Sequence, residues 1–115
     1  MDNPLLNLDM LADIYSSNEL LKLLKKYHSC MQIDLQQLKC FLDESAWLSV
    51  KQQSHKLKGV NSYFGAHKMI ELLVKLEHAT QSADKSSAIE IFGDIINCWQ
   101  HVEEQLKNLF LNNNL

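Results

Sequence analysis

His55 and Lys58 are the residues of this 115-residue chain whose types and spacing could do chemistry. They sit in the stretch SHKLKGVNSYFGAHK, Ser54 to Lys68, directly before Gly59. An exposed imidazole is largely uncharged at neutral pH and keeps a nitrogen lone pair, so it can act as a nucleophile without a separate base. On a helix, His55, Lys58, Gly59 and Ser62 stand at i, i+3, i+4 and i+7 and share one polar face, with Lys51 and Gln52 one turn earlier. A cation is then one turn from the nucleophile. The glycine leaves a bare patch beside it, at a cost of roughly 1 kcal/mol relative to alanine in a helix interior. By itself a histidine on a helix is usually a solvated surface residue, and Gly59 could equally be the left-handed cap of a helix ending there. The apolar spacing from Trp47 to Phe64 continues in phase across the glycine, and Gly65 offers a stop six residues later, which favours one continuous helix.

The elements that must hold this face are helices. One proline and three glycines leave few breakers, and the long stretches carry helical rather than alternating periodicity. A short first helix is predicted from about Leu8 to Tyr15. Ser16 and Glu19 have capping-box spacing, and Leu20, Leu24, Tyr27, Met31, Leu35, Leu38 and Leu42 stripe a long second helix. Asp43, Glu44 and Ser45 are read as the N-cap and acidic first turn of a third, whose inner face is Trp47, Val50, Ser54, Leu57, Asn61 and Phe64. Beyond Gly65, Met69, Leu72, Leu73, Leu76 and Ala79 mark a fourth. After the polar connector Gln81 to Ser87, Ser87 and Glu90 repeat the capping-box spacing, and Ala88, Ile91, Ile95, Cys98, Val102, Leu106 and Leu109 stripe a fifth. Asn112, Asn113 and Asn114 read as a frayed end. Short connections between long amphipathic helices predict an all-α fold: an antiparallel up-down four-helix bundle with a short N-terminal helix packed against it. One domain over residues 1–115, with its bundle core at about 17–111, is expected from this length.

With 46% apolar and 22% charged residues the composition is globular rather than disordered. The formal net charge of -3, 14 acidic against 11 basic residues with no long basic run, argues against nucleic acid or an anionic membrane and for a protein or small-molecule partner. Cys30, Cys40 and Cys98 are an odd count, form no C-x-x-C pair and lie in apolar stretches, so they are read as reduced core thiols of a cytoplasmic protein. No apolar run approaches transmembrane length, and Met1 to Met10 lacks the charged and apolar blocks of a signal peptide. A monomer without direct membrane contact is expected.

Around His55 the sequence resembles the histidine-containing phosphotransfer (HPt) domain, whose signature is a small residue, H-x-L-K-G, and G-A six residues further. Here it reads Ser54, His55, Lys56, Leu57, Lys58, Gly59, then Gly65 and Ala66. LLNLDMLADIYSSNELLKLLKKY is similar to the family's opening helices and MIELLVKLEHA to the helix after the motif, so the likeness runs from about Leu6 to Leu109. Ser54 stands where alanine is commoner, and Tyr63 where smaller residues are frequent. The resemblance implies that His55 accepts a phosphoryl group from a receiver-domain aspartyl phosphate and passes it to another receiver. Such transfer is helped by positioning and by cations on the equatorial oxygens, a role open to Lys58. It further implies receiver contacts at Lys51, Gln52, Gly59 and Ser62, no cofactor of the chain's own, and Mg2+ supplied by the receiver's acidic pocket, since the His55 face offers no carboxylate cluster. HPt domains occur free and as C-terminal modules of membrane-anchored hybrid sensor kinases, and a start just before the first helix suits an excised module. There is no nucleotide-binding glycine loop, so an autonomous kinase is not expected.

Two other classes compete. A metal-binding bundle of the ferritin-like kind needs Glu-x-x-His on two helices, and none of Glu19, Glu44, Glu71, Glu77, Glu90, Glu103 or Glu104 is followed by histidine at that spacing. A helical module that docks partners without chemistry would present the same face; phosphate incorporation separates it from an HPt domain.

Overall fold

In a computed structural model, which describes residues 5–112, the chain forms α1 (Asp9–Ile14), α2 (Ser17–Asp43), α3 (Trp47–Tyr63), α4 (His67–Gln81) and α5 (Lys85–Asn112). Helices α2 to α5 close a four-membered ring of antiparallel neighbours, α2 on α3, α3 on α4, α4 on α5 and α5 back on α2, with α1 against α2. The fold class read from periodicity is the one observed. Every residue of the α2 stripe is buried, as are Val50, Ser54, Leu57, Asn61 and Phe64 on the inner side of the α3 segment. Ser16 accepts from the Glu19 amide while the Glu19 carboxylate accepts from the Ser16 amide, the reciprocal cap that the spacing predicts. The Ser16 amide, and after it the Ser16 hydroxyl, hold the Glu19 carboxyl below the usual carboxylate range.

Each connector is three residues long, 44–46, 64–66 and 82–84, with a left-handed residue at its centre: Ser45 (φ 54°), Gly65 (φ 64°) and Ala83 (φ 49°). At the first two the helix closes as a Schellman motif. Ala46 N–H donates to the Phe41 carbonyl and Ser45 N–H to that of Leu42; Ala66 and Gly65 do the same to Asn61 and Ser62. Only Gly65 also lacks room, because a Cβ there would lie 2.7 Å from Asn7 Cβ. Asn7 is held against the turn by its N–H, which donates to the Phe64 carbonyl at 3.1 Å.

Three readings of the sequence are corrected. Asp43 is the last residue of α2 rather than a cap of α3, whose N-cap position, Ala46, has no side-chain hydrogen bond; the Schellman turn uses residues 43–45 to end one helix before the next begins. The cap of α5 is Asp84, accepting from the Ser87 amide and hydroxyl, so that helix starts earlier than the Ser87–Glu90 spacing suggests. Those same bonds lower the Asp84 carboxyl. Cys98 is buried, but Cys30 and Cys40 are exposed free thiols, because the core-facing stripe of α2 passes beside them. At the chain end Asn112 is the last residue of α5, while Asn113 and Asn114 lie outside the described residues.

Candidate functional site

Buried polar groups set the rotation of α3, and with it the direction of His55. Asn61, fully buried, accepts from the Tyr27 hydroxyl at 2.6 Å and donates to the Leu57 carbonyl at 2.8 Å. Burial pushes the Tyr27 phenol well up, so it stays a donor. Gln53 Nε2 donates to the Asp34 carbonyl at 3.0 Å, and Ser54 Oγ to the Val50 carbonyl at 2.8 Å. Of these, the bonds from Tyr27 and to Asp34 cross to α2, and rotating α3 would break both and strand the Tyr27 hydroxyl in the core, at a cost of about 1–3 kcal/mol. With Ser54, Leu57 and Asn61 held inward, His55 is turned outward and its side chain is 78% exposed.

Gly59 lies inside α3 as a helical residue, so the continuous-helix reading holds and no cap ends the helix there. A Cβ at Gly59 would meet nothing within 4 Å. Gly59 and Ser62 are exposed, as the shared-face spacing requires, and Lys51 and Gln52 line an open groove with His55. Lys58 is half-buried rather than free. Its Nζ lies 2.9 Å from Glu77 Oε1 on α4. The same oxygen is 3.7 Å from His55 Nδ1. Lys58 approaches off the line that a hydrogen bond needs, so Oε1, closed to solvent, has an ionic neighbour and no directed hydrogen bond.

Glu77 is the site residue that reading the sequence misses. A signal was present: in a helical hairpin folded at Gly65–Ala66, residues equidistant from the turn face each other, and His55 lies ten before Gly65 while Glu77 lies eleven after Ala66. A carboxylate facing Nδ1 favours the tautomer with its proton there, leaving the Nε2 lone pair for an electrophile. Imidazole, ammonium and carboxylate therefore form one cluster across α3 and α4. His67, at the first turn of α4, does not line the groove. Among the described residues, no three His, Cys, Asp or Glu side chains group to hold a metal ion, and no helix is long and apolar enough to cross a membrane.

Comparison with curated proteins and with solved structures finds no significant match. Residues 22–110 match the family model of the Hpt domain, which takes in α3, α4 and nearly all of α2 and α5. The chain belongs to the Hpt domain family, whose work is histidine phosphotransfer in phosphorelays with receiver domains as partners.

Proposed function

We propose that His55 is the phosphoacceptor of a phosphorelay intermediate that takes a phosphoryl group from the aspartyl phosphate of one receiver domain and hands it to the aspartate of another. The observation that carries this reading is the exposed imidazole whose Nδ1 faces the half-buried Glu77 carboxylate while Lys58 stands beside it. In the first half-reaction the Nε2 lone pair attacks phosphorus, the N–P bond forms, the acyl O–P bond breaks, and the receiver's aspartate leaves as a carboxylate. The ring becomes cationic with its proton on Nδ1, next to Glu77, which offsets that charge. The second half-reaction reverses each bond, with a different aspartate as the nucleophile.

Lys58 has two partners in this cycle. Before transfer it is paired with Glu77; as the phosphoryl group arrives, its ammonium is drawn to the equatorial oxygens, and Glu77 is left to the imidazolium. Glu77 is thus a positioning residue for His55 and a holding site for Lys58. Gly59 leaves the approach to the ring open, and Ser62 continues that open face. We assign the divalent cation of the transfer, Mg2+, to the receiver's acidic pocket, because the one carboxylate beside His55 is already engaged by Lys58.

The test is incubation with a panel of phosphorylated receiver domains, following label onto this chain. One phosphoryl group per chain is expected, stable to alkali, lost in acid, and absent from His55→Gln. Undiminished labelling of that variant would refute the assignment.

A further inference from the structure

Away from the core, α2 carries a second stripe that faces water. Lys26, Cys30, Ile33, Gln37, Cys40 and Glu44 recur at alternating spacings of four and three residues, so they share one line along the helix. At roughly 100° per residue, that line lies about 140° around α2 from the residues in the core. All six are exposed, Ile33 by 61%. Glu44, the C-cap, keeps helical dihedrals (φ -86°, ψ -2°) and stays in phase with the rest. The line is about 27 Å long and is built like one strand of a coiled coil.

Its spacing reads the same in both directions. Running four, three, four, three, four, it is symmetric about the level of Leu35. A second α2 laid antiparallel across a two-fold axis at that level therefore meets the line with itself. Lys26 then faces the partner's Glu44, Cys30 faces the partner's Cys40, and Ile33 faces the partner's Gln37. Opposite charges meet at both ends of the line and its middle is uncharged. A parallel pair would set lysine on lysine and glutamate on glutamate.

Within one chain those end charges are unanswered. Neither Lys26 nor Glu44 makes an ion pair among the described residues. Glu44 also stands at the end of α2 where the exposed carbonyls favour a cation, and the last turn holds no basic residue. The partner's Lys26 supplies that cation. Asp34, the charged group nearest the axis on the flank of the line, is held by Lys56 of its own chain at 3.4 Å, so no bare like charges face each other there.

We propose that the outer line of α2 is an isologous interface with a second copy of this chain, two α2 helices pairing antiparallel in place of the monomer that the sequence suggests. One helix pair buries less than the roughly 1,200 Å² of a standard interface, so the dimer is weak, with a Kd of about 0.1 mM. His55 stays free in it, because the groove beside the imidazole is lined from α3 and α4 and by no residue of the α2 line.

Thiol trapping under oxidised glutathione reads the register directly. For each disulfide, the Cys30 and Cys40 thiols give up two protons and two electrons, and one oxidised glutathione is reduced to two thiols. Cys30 and Cys40 of one chain are about 15 Å apart along α2, too far to close on each other. Two Cys30 residues, or two Cys40 residues, are about as far apart across the antiparallel pair. Cys98 is buried and does not compete. Cys30→Ser and Cys40→Ser chains should therefore each stay uncrosslinked on non-reducing gels, whereas their equimolar mixture should crosslink, Cys40 of the first to Cys30 of the second. In reducing buffer, sedimentation should show Ile33→Asp and Lys26→Glu raising Kd at least about tenfold. Lys26→Glu combined with Glu44→Lys should bring it back to within about threefold of wild type, with far-UV circular dichroism as the check of folding.

Crosslinking of either single variant by itself would mean a parallel pair or random collision, and would overturn the proposal. So would a mixture that stays uncrosslinked, or wild-type and folded Ile33→Asp chains that sediment alike up to about 1 mM.

Discussion

Two glycines six residues apart are expected to respond to alanine with opposite signs. Gly59 is helical and exposed, and a Cβ placed on it meets nothing within 4 Å. Alanine there loses less backbone entropy on folding at no steric cost, so Gly59→Ala should stabilise by about 0.5–1 kcal/mol, or roughly 2–8 °C in Tm for a domain of this size. Gly65 has φ 64°, and its Cβ would lie 2.7 Å from Asn7 Cβ and 2.8 Å from the Asn7 carbonyl oxygen. The left-handed conformation costs alanine roughly 1–2 kcal/mol before the overlap is relieved, so Gly65→Ala should destabilise by at least about 2 kcal/mol and lower Tm by roughly 8 °C or more. Function should separate from stability at the first glycine. A glutamate at position 59 fits the helix but brings a carboxylate to about 6 Å from the imidazole, the i, i+4 spacing. In water that is about 0.7 kcal/mol of repulsion per unit charge, hence about 1.4 kcal/mol against a dianionic phosphoryl group and about tenfold in rate, before any steric crowding. Thermal melts by circular dichroism and single-turnover transfer from a phosphorylated receiver measure both effects. A Gly59→Ala variant that melts below wild type, or a Gly59→Glu variant that transfers at the wild-type rate, would refute the view that this glycine exists for access.

Further substitutions test the other parts of the argument. Lys58→Ala should slow transfer about tenfold, about 1.4 kcal/mol in the barrier, and should cost more in a Glu77→Gln background, where Lys58 has no carboxylate to leave; equal costs in the two backgrounds would contradict the exchange of partners. Tyr27→Phe should destabilise by about 1–2 kcal/mol in denaturant titrations, because Asn61 Oδ1 loses its donor inside the core. Ala83→Gly should raise Tm by a few degrees, relieving a left-handed alanine at the α4–α5 turn by up to about 1 kcal/mol; a fall would show that the turn tolerates alanine without strain.

The helices were legible because their signals are local. A capping box at Ser16 and Glu19 is closed within one turn, and the stripe from Leu20 to Leu42 needs only the helical period to declare its buried side. The His-x-x-Lys-Gly spacing was legible in the same way, since residues at i, i+3 and i+4 share a face on any helix. Where two local readings competed, sequence misassigned residues: Asp43 and Ser45 have the chemistry of an N-cap, yet they sit where α2 closes on itself through backbone bonds, and a backbone motif leaves little trace in side-chain type. Cys30 and Cys40 were misread because membership of an apolar stretch does not fix which side of a helix a residue takes.

By itself, then, the sequence determined the order and the inner faces of the helices, the turn at Gly65, and the presence of a histidine, a lysine and a glycine on one outward side of α3. Tertiary structure alone decided what that histidine faces. Glu77 is remote in sequence, and it reaches Nδ1 at 3.7 Å only because α3 and α4 pair antiparallel and the buried Gln53–Asp34 and Tyr27–Asn61 contacts fix the rotation of α3 on α2. It likewise decided that Lys58 is held by a carboxylate rather than free in solvent, and that Leu48, apolar and in phase with His55, stays in water. The reason is physical: caps and periodicity are set by interactions within a turn or two, whereas the pairing and rotation of helices are settled by packing and by the cost of stranded buried polar groups, which belong to the whole core at once.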